Sequence, residues 1–192
     1  MNCPALVYAT DMSALAFWKA IVGDKSGFLE RIIALLEENR LAYCVVGGVA
    51  VNAYAPSIVT QDLDLVLASS DLDRARELLG EQFEVREFEH SLNVSDPGSR
   101  LQVQLQKDLH LSDLLERARR MEVDDLLLPV AAPEDLVRLK IQAATDPARR
   151  NMKKGKDRMD LARLITVFPE LRPLIPKELW PEVEGLLDEP LG

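Results

Sequence analysis

Two acids set two residues apart in an apolar run, Asp62 and Asp64 within Thr60-Gln61-Asp62-Leu63-Asp64-Leu65-Val66-Leu67, hold more chemistry than any other part of this sequence. A strand puts both carboxylates on one face and Leu63, Leu65 and Leu67 on the other. Like charges held that close repel, and a shared divalent cation or a shared proton relieves them. Upstream, Val45-Val46-Gly47-Gly48-Val49-Ala50-Val51 ends an apolar run in a glycine pair. The backbone N–H groups of such a pair are unobstructed and lead into a helix, a suitable setting for phosphate. A phosphate site beside a metal site points to nucleotide chemistry.

A second set of charged residues lies near the C-terminus. Lys140 has Leu136, Val137, Ala143 and Ala144 as its helical neighbours three and four residues away, so it leaves from an apolar stripe. A lysine there either snorkels to water or meets an anion, a phosphate in the sharper of the two readings. Asp157 and Asp160 sit four residues before Leu161 and Leu164 and extend that helix's apolar face. Each is either an exposed acid paired with Lys153, Lys154, Lys156 or Arg163, or part of a site. Arg149, Arg150, Lys153, Lys154, Lys156 and Arg158 form a basic cluster, either a solvated helix face or a contact for a polyanion such as a triphosphate or an RNA backbone.

Other schemes find little support. His90 and His110 have no serine or cysteine in a nucleophile setting, and Gly47-Gly48 lacks the lysine of a Walker loop. Cys3 and Cys44 do not make a disulfide framework or a zinc site, and Cys44 reads as a small buried hydrophobe. The 192 residues, 47 % hydrophobic and 29 % charged, suit an ordinary globular chain. A net charge of −9 argues against a protein that coats DNA or an anionic membrane. Residues 1–23 lack the basic start of a secretory signal, and no apolar run approaches the roughly 18 residues of a membrane span. A soluble cytoplasmic protein without membrane contact is expected.

The elements that must carry these residues follow from periodicity. Helices are predicted over Lys25–Asn39, Val49–Tyr54, Ser70–Leu79, Pro133–Thr145, Arg150–Phe168 and Glu178–Leu187, with a shorter one at Ser13–Ile21. Ser70 is expected to cap its helix with Asp73 as acidic partner. Strands are predicted over Tyr43–Val46, Thr60–Leu67, Phe83–Glu89, Leu101–Gln106 and Leu126–Val130. Phe83–Glu89 and Leu101–Gln106 are expected to form a hairpin around the Asp96-Pro97-Gly98 turn. The expected architecture is α/β (α+β), a mixed sheet flanked by helices. Residues 1–120 would form the core with N-terminal helices, and 121–192 a mostly helical part packed on it.

Three blocks give the chain a family resemblance: Val46-Gly47-Gly48 with Ala50, Thr60-x-Asp62-x-Asp64, and Leu128-Pro129-Val130-x-x-Pro133-Glu134-Asp135-Leu136 leading to Lys140-x-x-Ala143 and Lys156-Asp157-x-x-Asp160-Leu161. Together they resemble the DNA-polymerase-β-like nucleotidyltransferase superfamily, in particular the group of the AbiE toxin (AbiEii/AbiGii). The resemblance implies Mg2+ or Mn2+ on Asp62 and Asp64, and an NTP at Gly47, Gly48, Thr60 and Lys140. It also implies catalytic roles for Asp62, Asp64, Lys140 and Asp157, the last orienting either the acceptor or the lysine. Two positions depart from the pattern. Gln104 stands where many members carry a third carboxylate, and Ile58 where related toxins often carry arginine.

Three functions follow as expectations. The leading one is nucleotide transfer from an NTP to a hydroxyl acceptor, RNA such as tRNA among them, by a toxin with an antitoxin protein as partner. The second is a nucleotide- or partner-binding module that lost turnover, motivated by Gln104. The third is a small-molecule nucleotidyltransferase of the aminoglycoside-modifying kind, whose cationic substrate would suit an acidic protein.

Overall fold

The computed structural model describes residues 19–20, 23–107, 113–123 and 125–187. Helix α1 (Phe28–Glu38) precedes β1 (Tyr43–Val46), α2 (Gly47–Asn52), β2 (Asp62–Leu67), a 3-10 turn at Ser69–Asp71 and α3 (Leu72–Gly80). Strands β3 (Glu84–Glu87), β4 (Ser91–Ser95) and β5 (Gln102–Gln106) follow, then α4 (Asp113–Arg117), β6 (Arg119–Val123) and β7 (Leu126–Val130). Helices α5 (Pro133–Thr145), α6 (Asn151–Val167) and α7 (Trp180–Glu184) complete the described chain, with a 3-10 segment at Pro169–Leu174 before α7. The predicted helix Ser13–Ile21 falls largely outside the described residues.

The seven strands of the described residues join one mixed sheet in the order β3-β4-β5-β2-β1-β7-β6. Strand β2 pairs antiparallel with β1 and parallel with β5, and β1 is parallel to β7. The α/β architecture expected from the sequence is therefore present, with β6 and β7 extending the sheet beyond β1. Alternation decides its faces. Leu63, Leu65, Val103, Leu105, Leu92 and Val94 are all buried, while Asp62, Gln102, Gln104 and Asn93 share the opposite face by register. Phe28, Ile32 and Leu36 of α1 and Ala75 and Leu79 of α3 belong to the same buried core.

Several elements differ from their predicted form. The hairpin expected between residues 83–89 and 101–106 does not exist, because β4 lies between β3 and β5 and pairs with both. Ser91-Leu92-Asn93-Val94-Ser95 offers only two apolar residues to a periodicity reading, yet both are fully buried once the sheet forms. Strand β6 is likewise absent from the predicted elements. Its Arg119-Arg120-Met121-Glu122 run is that of a charged sheet edge, which discourages pairing with other chains. Ser70 does not cap α3, which starts from the 3-10 turn without a side-chain cap. The hidden cap is Asp24, whose carboxylate accepts the N–H groups of Phe28 at 3.0 Å and Leu29 at 3.2 Å.

Cys44 is buried in β1, as expected, and desolvation pushes its thiol up to about 12. The Cys3→Ser variant is expected to resist thiol reagents at pH 8 until it unfolds; labelling followed by denaturant titration tests this. Leu65, fully buried on central strand β2, is the core position to probe. Leu65→Ala is expected to cost about 3 kcal/mol in equilibrium denaturant unfolding.

Candidate active site

The pairing of β2 with its two neighbours builds the centre of the site. Asp64 registers with Val46 of β1 on one side and Gln104 of β5 on the other, and Asp62 registers with Gln102. Gly47 follows Val46 directly, so the Asp64 carboxylate meets the first residue of α2. Gly47 has φ 69°, and a Cβ built there would lie 2.9 Å from Asp64 Cγ and overlap the carboxylate itself. Glycine is required twice over, by backbone conformation and by lack of room. Gly48 faces Thr60, whose Oγ1 lies 3.4 Å from where a Cβ would be, and Lys156 Nζ is 3.9 Å from the same point. Thr60 is buried, and its hydroxyl donates to the Asp62 carbonyl at 3.5 Å.

The structure thus brings Gly47 against Asp64 and Gly48 against Thr60 and Lys156, with Asp62 near enough to act on the Asp64 carboxylate. Asp62 is exposed and Asp64 half-buried. Desolvation raises Asp64 from the usual 3.8 to about 6; Lys140, Lys156 and Arg149 oppose this rise and Asp62 adds to it. Asp62 and Asp64 offer carboxylate oxygens, the donor type that suits a hard cation such as Mg2+ or Mn2+. Among the described residues no group of three His, Cys, Asp or Glu is arranged to hold a metal. A cation on these two carboxylates would therefore complete its shell with water and substrate phosphate, the usual habit of Mg2+.

Behind Asp64 lies a buried ionic network between α5 and α6. Lys140 Nζ donates to Asp157 Oδ1 at 3.1 Å and lies 2.5 Å from Asp160 Oδ2, an ion-pair contact outside hydrogen-bond geometry. Arg149 Nε donates to Asp157 Oδ2 at 2.7 Å, and Arg163 Nη1 to Asp160 Oδ1 at 2.8 Å. Asp157, Asp160 and Arg163 are each 2 % exposed and Lys140 8 %. Lys140 therefore meets anions inside the protein instead of snorkelling, and its ammonium is shared by two carboxylates rather than held out to solvent. Three cations face two carboxylates. The surplus positive charge is near Asp64, where both Lys140 and Arg149 act.

The basic cluster is divided. Arg149 is committed to Asp157, and Arg158 reaches Glu182 of α7 at 2.7 Å. Arg150, Lys153 and Lys156 are exposed and Lys154 is half-buried, with Lys156 against Gly48. Asp157 and Asp160 pair with Arg149, Lys140 and Arg163, not with the neighbouring lysines 153, 154 and 156. Arg163 is not among the site residues expected from the sequence, although its spacing from Asp160, three residues along a buried face, is a readable sign.

This sheet and its flanking helices form the nucleotidyltransferase fold. Among solved structures, the antibiotic-resistance factor ANT(2'')-Ia superposes with a TM-score of 0.55 at 13 % identity, over 83 % of this chain and 92 % of that one. The same factor in complex with adenylyl-2''-tobramycin gives 0.54 at 12 % identity, over 83 % and 95 %. The lincosamide antibiotic adenylyltransferase LnuA, lincomycin-bound, gives 0.52 at 13 % identity, over 76 % and 99 %. No sequence-family model and no curated relative matches the chain. At these identities the likeness is one of fold.

Asp64 links this site to stability. Below pH 3.8 it is protonated folded and unfolded alike; as pH rises through about 6 the folded state must carry a desolvated charge, and stability is lost. Solvent screening at a half-buried group limits the loss at pH 7.5 to about 1–2 kcal/mol. Asp64→Asn is expected to raise metal-free stability by that amount at pH 7.5, with the gain vanishing near pH 4, in denaturant unfolding at both pH values. Mn2+ is expected to raise the melting temperature of the wild type and not of the variant.

Proposed function

We propose that this protein is a magnesium- or manganese-dependent nucleotidyltransferase that moves a nucleotide from an NTP to a hydroxyl-bearing acceptor. The observation that carries the reading is the Asp64 carboxylate pressed against Gly47, with Thr60 and Lys156 against Gly48 and Asp62 acting on the same carboxylate. In the reaction the acceptor oxygen bonds to the α-phosphorus while the α–β phosphoanhydride bond breaks and pyrophosphate leaves. A divalent cation on Asp62 and Asp64 would neutralise phosphate charge. Gly47 and Gly48 let the triphosphate approach the backbone, and Lys156 supplies an exposed ammonium beside them. Lys140 stands one layer deeper, where it and Arg149 offset the charge of Asp64 while Asp157 holds both cations in place. Gln104 carries an amide and cannot take the acceptor's proton, which passes to Asp62 or to water.

The exposed Arg150, Lys153 and Lys156 favour a polyanionic acceptor, RNA such as tRNA, in keeping with an AbiE-type toxin countered by an antitoxin protein in the cytoplasm. A second reading has its own support. Gln104 registers beside Asp64, so the chain lacks a third carboxylate there and would bind nucleotide without turning it over. ANT(2'')-Ia and LnuA keep small-molecule acceptors in play as a third reading.

The test is incubation of the purified protein with Mg2+, α-labelled NTPs and, separately, tRNA, aminoglycoside and lincosamide acceptors. Label is expected on RNA, falling at least about a hundredfold in Asp62→Ala and Asp64→Ala. Nucleotide binding by calorimetry without pyrophosphate release selects the binding module, and label on a drug selects the small-molecule enzyme. Absence of both binding and label defeats the proposal. Gly47→Ala is expected to abolish transfer in the same assay.

A further inference from the structure

Arg163 is the most deeply buried lysine or arginine among the described residues, yet it belongs to none of the sequence motifs. Its neighbours Leu161, Ala162, Leu164 and Ile165 are all buried apolar residues, and burial lowers its pKa. A guanidinium in such surroundings is costly, and a packed apolar side chain of similar volume can serve stability as well. What Arg163 adds is connection. Besides Asp160, it donates from Nη2 to Asn52 Oδ1 at 2.7 Å and to the Pro56 carbonyl at 2.5 Å, while its Nε has no partner among the described residues.

Asn52 passes the connection on. Its Nδ2 donates to the Ile58 carbonyl at 2.8 Å, and its Oδ1 accepts the Ile58 N–H at 3.0 Å, closing the loop between α2 and β2. Ile58 and Val59 are 37 % and 56 % exposed, so this end of the loop has little apolar anchorage and depends on these polar ties. Thr60 and Asp62 come next in the chain. At the other end of the relay, Asp160 holds Lys140 behind Asp64. One guanidinium therefore spans the loop that leads into the site and the charges beneath it.

We propose that Arg163 and Asn52 are positioning residues that fix loop 53–59 and thereby hold Thr60 and Asp62 opposite Gly47 and Gly48. This rests on the transferase reading of the site. Arg163→Met would leave Asp160 Oδ1 without its donor in the interior and risk misfolding, so the decisive variants are Asn52→Ala and Asn52→Asp, the latter keeping the acceptor for Arg163 and for the Ile58 N–H while losing the donor to the Ile58 carbonyl.

In Asn52→Ala, amide hydrogen exchange over residues 58–62 is expected to accelerate at least about tenfold with α5 and α6 unchanged. Mn2+ affinity is expected to weaken about fivefold or more, and kcat to fall about tenfold with KM for NTP moving less than about threefold. Asn52→Asp keeps the acceptor for Arg163 and the Ile58 N–H but sets an acceptor against the Ile58 carbonyl, so each of the three is expected to recover in part, to a value between Asn52→Ala and wild type. A folded Asn52→Ala protein with wild-type exchange, Mn2+ affinity and kcat overturns the inference while leaving the transferase reading intact. A wild-type protein that binds neither Mn2+ nor NTP overturns both.

Discussion

The approach of the Asp64 carboxylate to the bare Cα of Gly47 governs the whole site. It follows from one register. With Val46 opposite Asp64, the residue after Val46 must lie beside the acid, and only a residue without a side chain, and at ease with φ 69°, leaves the carboxylate in place. Everything else is arranged around that contact: β5 brings Gln104 to the other flank, Thr60 backs Gly48, and Lys156 closes on the same edge from α6.

A carboxylate so placed is held against its own preference for water. The protein answers from below, with a buried network in which Lys140, Arg149 and Arg163 exceed Asp157 and Asp160 by one charge. The compensation is incomplete, since Asp64 still titrates far above an ordinary aspartate. That residual cost is what a bound cation would remove, so the same desolvation that weakens the metal-free fold would strengthen metal binding. Stability and the proposed metal binding would pull in opposite directions at this one side chain.

The network also changes the meaning of the C-terminal motif. The family resemblance implies direct roles for Lys140 and Asp157, and in the structure both are covered and bonded to each other. Their influence on chemistry would pass through Asp64 and through the helices they join. The outward charge is left to Lys156, Lys153 and Arg150. Buried ion pairs add little net stability but are unforgiving of a missing partner, which suits a network that must keep α5 and α6 in one arrangement beneath the sheet.

Much of this was legible in the chain because local patterns survive folding. Alternation around Asp62 and Asp64 fixed a face, the glycine pair marked a close approach, and helical spacing placed Lys140, Asp157 and Asp160 on buried stripes. Strands β4 and β6 were not legible, since a half-polar inner strand and a charged edge strand owe their form to neighbours distant in sequence. Nor did spacing reveal that Asp24 caps α1, that Arg163 reaches Asn52 and Pro56 across more than a hundred residues, or that Lys156 rather than Lys140 faces Gly48. Residue order was enough to say which side chains could do chemistry and which face of each element would carry them. Which charges satisfy one another, and which stay exposed, was settled only in three dimensions, because pairing energies depend on distances that the assembled sheet and helices set.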